Sequence, residues 1–507
     1  MLNSYYQAAL SPFDRLPLEL HAEIFSHALP AFPHLDDNGG APMIIARVCG
    51  TWRSLVLSTP KLWASFEIEV QDTSDGETPN ELLNPDTVKL LHSVQVWLDR
   101  SRNHPLSVRL IHMPTTPTPN SLSAQLLAML AVHARRWRHV EFMLPSTSFS
   151  ESQGLFSEEL HALKHLKIHM KGQWDGNGGA NSLLVMNIPW AQLTTVDLRL
   201  DHAHLLNLDE FADLLKGAAN LVSCSFNVNC IMSAESARKS SSIQDSLRLP
   251  ALEKLHLVLQ GGSPTGLGFP NAQAQLLSTA QNPFLTPEQS LSTFLSLFSH
   301  CKLTHLHLDW LVDSSNTAPA VGSGWEATSY SSFRSLLKTL SPTLHSLRLA
   351  YLPLGEDQLL QGLAQLSTAG KVRELDLRFP IADHEQDPIT DKFLQSLTRP
   401  SASGGAHRQA PVEKKRNGVV QGEPPAQLLN FAGLQMLLVH CSGERCNEKS
   451  ISGLVDSRTD GAMQGEGLPI TQVHFYSMYP VMLDASQRID AWAKAGIDVK
   501  FESVVTL

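Results

Sequence analysis

Twenty-two histidines run through this 507-residue chain, and two of them, His305 and His307, stand at i and i+2. That spacing points both side chains to one face of a β-strand, where they could begin a metal site or a proton relay. No third ligand follows at a spacing known for zinc, and Cys441 and Cys446 have no second cysteine pair near them. No metal and no other cofactor is expected. Signatures of catalysis are missing as well: the sequence holds no G-x-S-x-G, no G-x-x-x-x-G-K-[ST] and no H-E-x-x-H. The glycine-rich stretch DGNGGAN (175–181) lacks the G-x-G-x-x-G spacing and reads as a turn. No catalytic residue is assigned, so the expected chemistry is recognition.

The side chains that could recognise something are set by a recurring pattern, L-x-x-L-x-L with apolar replacements. It appears as WRHVEF (137–142), LKHLKI (163–168), LTTVDL (193–198), LVSCSF (221–226) and LEKLHL (252–257), and again as LTHLHL (303–308), LHSLRL (344–349), VRELDL (372–377), LQMLLV (434–439) and ITQVHF (470–475). In such short strands the apolar residues point inward and the alternate ones to the opposite face. That second face would carry Glu141, Lys167, His169, Asp197 and His440. Its candidate target contacts are Arg199, Asn227, His256, His307, Asp309, Arg348, Asp376, Arg378, His474 and Tyr476. Both charge signs are present, which suits a folded protein or a charged peptide, and equally suits a solvated sheet face.

Helical stretches lie between the strands, at 207–220, 329–340 and 355–366, and residues 485–505 read as a final helix and strand. A strand followed by a helix, repeated, buries a continuous core by stacking neighbours. The fold class expected is therefore α/β, an irregular solenoid over 134–507, with 67–133 as a connecting region and the start of the array. Segments 261–290 and 312–330 read as polar excursions, and 399–427 as a disordered insert whose Lys414, Lys415 and Arg416 form a solvated charge run.

Residues 11–66 differ from the rest. Asp14 can cap a helix opening near Pro17, along which Leu20, Ile24 and Ala28 form a stripe beside Leu16 and Phe25, with Ile24 read as buried. A polar loop at 36–40 precedes a second helical stretch from Pro42 to Pro60, on which Val48, Trp52 and Leu55 share a face. A helical unit of about fifty residues is marginal by burial alone, so part of its apolar face is expected to be completed by a partner.

The ordered set LPLELHAEIFSHAL and RVCGTWRSLVLSTPKLW resembles the F-box motif, in the variant with a lengthened first loop common in mushroom-type fungi. The strand pattern, with starts 26 to 62 residues apart, resembles irregular leucine-rich repeats, whose period is roughly 20–29 residues. Together these resemblances imply the substrate receptor of an SCF-type cullin–RING ubiquitin ligase. Leu16, Pro17, Leu20, Ile24, Val48 and Trp52 would then bind the adaptor subunit, and through it cullin, while the repeats hold a protein target. The alternative is a repeat scaffold or inhibitor without ligase association.

Bulk properties limit the partners further. A net charge of −10 argues against a general nucleic-acid surface. The most apolar run, LLAMLAV (126–132), is far shorter than the roughly 20 residues that span a bilayer. The start lacks a basic then apolar leader and the six cysteines are scattered, which points to the cytoplasm or nucleus.

Overall fold

The computed structural model describes residues 13–35, 41–70, 85–112, 122–151, 160–171, 188–201, 205–240, 247, 249–262, 284–298, 300–312, 325–367, 369–379, 387–399, 428–429, 431–463, 469–479 and 486–503. The insert expected at 399–427 falls outside them from residue 400 on, as do the glycine-rich turn at 175–181 and the loop at 36–40. The chain divides into two compact units, Met1–Leu205 and Leu206–Leu507.

The first unit opens with three helices, Leu18–Ala28, Met43–Val48 and Gly50–Ser58. Five strands follow: β1 (Ser65–Val70), β2 (Leu106–His112), β3 (Trp137–Pro145), β4 (His165–Lys171) and β5 (Thr195–Arg199). Each pairs in parallel with the next in chain order. The outer edge of β1 is covered by residues 33–35: Glu67 N–H donates to the Pro33 carbonyl at 2.8 Å, and Leu35 N–H to the Glu67 carbonyl at 3.1 Å.

The second unit holds β6 (Ser223–Asn229), β7 (Lys254–Gly261), β8 (His305–Val312), β9 (Ser346–Ala350), β10 (Glu374–Arg378), β11 (Met436–Cys441), β12 (Gln472–Ser477) and β13 (Asp498–Ser503). These eight also pair in parallel, each with its successor. Helices connect them, and Pro287–Ser296, Ala327–Leu340 and Glu356–Ser367 pack side by side. Among the described residues strand order never reverses within either unit, and no switch-point crevice of the doubly wound kind is formed there.

The strand pattern explains this stacking. All ten L-x-x-L-x-L segments contribute a strand, β3 to β12. The leading residue, two positions before the ladder begins, is fully buried at Leu163, Leu193, Leu221, Leu252, Leu303, Leu344, Val372 and Leu434. Each strand thus inserts three apolar side chains between its neighbours, and removing such area from water is the main favourable term in folding. Several helices are started by local chemistry. Asn207 and Glu210 form a reciprocal capping box, and Thr286 does the same with Gln289 beside Pro287 at the first helical position. Thr390 Oγ1 accepts from Phe393 N–H at 3.1 Å.

Several sequence expectations change here. β1 begins at Ser65, and β2 lies within 67–133, the stretch read as a connecting region and the start of the array. The helices Pro287–Ser296 and Ala327–Leu340 begin inside the two segments read as polar excursions. In the N-terminal helices, Pro17 and not Asp14 occupies the cap position before Leu18–Ala28. Residues 42–60 are not one helix. Cys49 is extended (φ −155°, ψ 172°), ending one helix, and its thiol accepts from Trp52 N–H at 3.4 Å to begin the next.

Candidate functional site

Two surfaces bring the sequence-predicted residues together. The first belongs to the N-terminal helices, whose interior is built from aromatic rings. Phe25 packs at 4.8 Å from Trp52, and Phe13 lies 5.2 Å from Trp52 and stacks on His21 at 4.2 Å. Trp63 is fully buried and its Nε1–H donates to the Val56 carbonyl at 2.9 Å. Ile45, Val56 and Leu62 complete this interior.

With that core filled, the helices turn other apolar side chains to solvent. Leu20 is 49% exposed, Ile24 42% and Val48 59%. The reading of Ile24 as buried is therefore corrected: Phe25, one residue on, takes the inward position. Pro17 is exposed and Leu16 half-buried, whereas Trp52 is engaged with Phe13 and Phe25. Leu18, Ile44 and Leu57 are exposed too, and the sequence analysis did not single them out. For Ile44 the signal was present, since it stands one helical turn before Val48. Half of the exposed large apolar side chains among the described residues lie between 18 and 57.

The second lies, in each unit by itself, on the strand face opposite the apolar one, where charges are largely satisfied among themselves. In the first unit Arg109 Nη1 donates to Glu67 at 2.7 Å and its Nε to Glu141 at 2.8 Å, while its guanidinium lies 4.2 Å over the Phe32 ring. Burial works against the Arg109 charge, but Glu141 and Glu67 outweigh it and hold its pKa above the ordinary value. Burial likewise opposes the Glu141 charge, and Arg109 wins there too, holding that carboxylate below its usual range. His169 Nε2 lies 3.0 Å from Asp197, and Arg199 Nε 3.6 Å from the same carboxylate.

In the second unit Asp309 is the centre of a ladder across β7, β8 and β9. His256 Nε2 lies 3.1 Å from Asp309 Oδ2, and Arg348 Nη2 donates to that oxygen at 2.9 Å. Burial would raise the Asp309 pKa; hydrogen bonding from His256 and the Arg348 charge lower it instead. Arg378 grips Asp376 through two nitrogens, each at 2.9 Å. His307 Nε2 lies 3.1 Å from Ser346 Oγ, and burial, with His256 and Arg348 beside it, depresses its pKa to about 4. It is neutral at pH 7. Asn227 is buried and donates to Gln260 at 3.4 Å, and His474 Nε2 lies 3.0 Å from Asp498. Tyr476 stacks on His440, with ring centres 4.4 Å apart.

Other polar clusters are structural in character. His34, Glu67 and Glu69 are the one group of possible metal ligands among the described residues whose donor atoms gather within 4.8 Å. Glu67 is already committed to Arg109, and His34 lies 3.8 Å from Glu69. His305 and His307 do share a face, with ring centres 6.5 Å apart. Asp387, fully buried, accepts from the backbone N–H of Ile389 at 2.9 Å and of Ser442 at 2.7 Å, and ties two loops together. Arg458 is 1% exposed and donates to the carbonyls of Leu397 and Phe431. No helix among the described residues is long and apolar enough to cross a membrane.

Neither a protein-family model nor a curated protein sequence matches this chain.

Proposed function

We propose that this chain is a non-catalytic substrate-recognition subunit of an SCF-type cullin–RING ubiquitin ligase, binding the adaptor through an F-box-like N-terminal unit and a protein target through leucine-rich repeats. The observation that supports it best is the exposure of Leu20, Ile24 and Val48 on helices whose interior is already filled by Phe25, Trp52 and Trp63. An apolar helical face with no work left inside its own unit is suited to helix-mediated docking. Parallel strands alternating with helices, each beside its sequence neighbour, support a repeat architecture for the target-holding part. Any ubiquitin transfer would be the chemistry of other subunits.

The test is recovery of the adaptor subunit and cullin with the full chain expressed in cells. Retention by the wild type, and loss with the Leu20→Ala/Ile24→Ala/Val48→Ala variant, is the expected result. A wild-type chain that recovers neither sinks the ligase reading and leaves a repeat scaffold or inhibitor. Because the three side chains are exposed, the variant should remain folded, and a thermal melt checks this directly.

A further inference from the structure

Cys441 ends β11, and Cys446 follows across a short turn that leads into the helix Glu448–Met463. Both thiols are free and buried, Cys441 completely and Cys446 at 8% exposure. They are hydrogen-bonded to each other. Gly443 lies between them: its backbone hydrogen-bonds to Cys441, and its carbonyl accepts from Cys446 Sγ at 3.8 Å. The φ of Gly443 is +88°, in the left-handed region that glycine enters without steric cost, and this folds the turn back on itself. The contact with Cys446 first, and burial second, push the Cys441 pKa well above its ordinary value, so this sulfur keeps its proton at pH 7.

The turn is also fixed from outside. Ser442 donates to the fully buried Asp387 carboxylate through its N–H at 2.7 Å and its hydroxyl at 2.6 Å. Arg445 Nη1 donates to the Asp387 carbonyl at 2.7 Å, and the Arg445 carbonyl accepts from Asp391 N–H at 3.0 Å. Met478 and Tyr479, which follow Ser477 of β12 or lie just beyond it, donate their N–H groups to the carbonyls of Cys441 and Ser442. Asn447 Oδ1 accepts from Ser450 N–H at 3.0 Å and so starts the helix directly after Cys446. The two sulfurs are thus held together before any reaction, the arrangement that makes closure of a bond between them fast.

We propose that Cys441 and Cys446 form a redox modification site, which hydrogen peroxide closes into a disulfide and a dithiol reductant reopens. This does not depend on the ligase function proposed above. Burial selects a small oxidant, and Cys446, the more exposed of the two, reacts first. Its sulfur attacks one peroxide oxygen, the O–O bond breaks, and the thiol proton leaves with the other oxygen as water. Cys446 is then a sulfenic acid. The Cys441 sulfur attacks the Cys446 sulfur, the S–O bond breaks, and the hydroxyl departs with the Cys441 proton as a second water. Two thiols have given up two electrons and one peroxide has become two waters. The new bond joins the last residue of β11 to the residue before the helix cap, stapling one strand-to-helix step of the second unit.

The full chain carrying Cys49→Ser, which removes the exposed thiol, is treated with hydrogen peroxide, alkylated with iodoacetamide, digested with trypsin and read by mass spectrometry. Trypsin cuts after Arg445, between the two cysteines, so the bridge appears as two joined peptides, lighter than the separate pair by the hydrogens lost. The joined pair should dominate, vanish with dithiothreitol, and form at least about tenfold faster in the folded protein than in urea, where the contact is gone. Adding Cys446→Ser should protect Cys441 from oxidation, because the entry point is lost. A sulfinic acid on Cys446 in place of the joined pair, or either cysteine joined to a different one, would overturn the proposal. So would equal rates in the folded and unfolded chain, or oxidation of Cys441 at the parent rate in the Cys446→Ser variant.

Discussion

Arg348 Nε lies 2.8 Å from Asp309 Oδ1 while its Nη2 reaches Asp309 Oδ2, so one guanidinium closes over one carboxylate across the β8–β9 step. Both side chains are at least three-quarters buried. Removing one charge strands the other in a low-dielectric setting. Asp309→Asn is expected to destabilise the protein by about 1–3 kcal/mol in urea unfolding. Adding Arg348→Met should recover part of that loss. A double variant worse than the sum of the single changes would contradict the pairing.

The N-terminal helices should separate folding from docking. Phe25→Ala opens a void in the aromatic interior and is expected to cost about 3–5 kcal/mol. Leu20→Ala and Ile24→Ala, at exposed positions, should each stay within about 1 kcal/mol of the parent. Urea midpoints of the three variants check the contrast. A large loss at Ile24 would restore it to the interior.

Acid should weaken the second unit through His307. Its folded pKa, about 4, lies below the ordinary 6.5, so as pH falls the unfolded chain takes up the proton first. Stability is then complete above about pH 6.5 and declines toward pH 4, by up to about 3 kcal/mol from this group. His307→Gln should flatten the stability–pH curve within that window. An unchanged slope would show that the depressed histidine does not govern it.

Arg458 makes a different kind of prediction. Burial lowers its pKa to about 9, with the nearby Arg399 adding to the effect, yet its guanidinium bridges the Leu397 and Phe431 carbonyls at 2.7 and 2.6 Å. Arg458→Ala leaves both carbonyls without that donor and is expected to cost about 2–4 kcal/mol. Differential scanning calorimetry of the variant measures it; a neutral result would mean that water replaces the bridge.

The strands were legible because their determinant is local. Three apolar residues at fixed spacing specify a buried ladder position, and each of the ten matching segments bears this out. Where the spacing differs, the strand escaped notice. At β2, Leu106, Val108 and Leu110 follow at i, i+2 and i+4, and the register shifts between Leu106 and Ser107 against β3. At β1 the spacing is kept, Trp63, Phe66 and Ile68 standing as in WRHVEF, but the segment lies against the N-terminal helices and was read with them. Helical phase was harder, because Ile24 and Phe25 differ by one residue and only the neighbouring helix decides which turns inward. The charge ladder could not be read at all. His256 and Asp309 are 53 residues apart, and their meeting depends on inter-strand register, which intervening loop lengths do not reveal.

The pairing of residues 33–35 with β1 bears on how the N-terminal helices can move. Lys61 also lies 2.8 Å from Glu23, and Trp63 packs edge-on at 5.0 Å against Trp97 of the helix Pro85–Ser101. The helices that carry Leu20, Ile24 and Val48 are thus tied to β1 and to the helix Pro85–Ser101 at several separate points. A partner bound as proposed above would take its bearing from that end of the array. Any search for reach between partner and cargo belongs to elements other than the joint at Ala64 and Ser65.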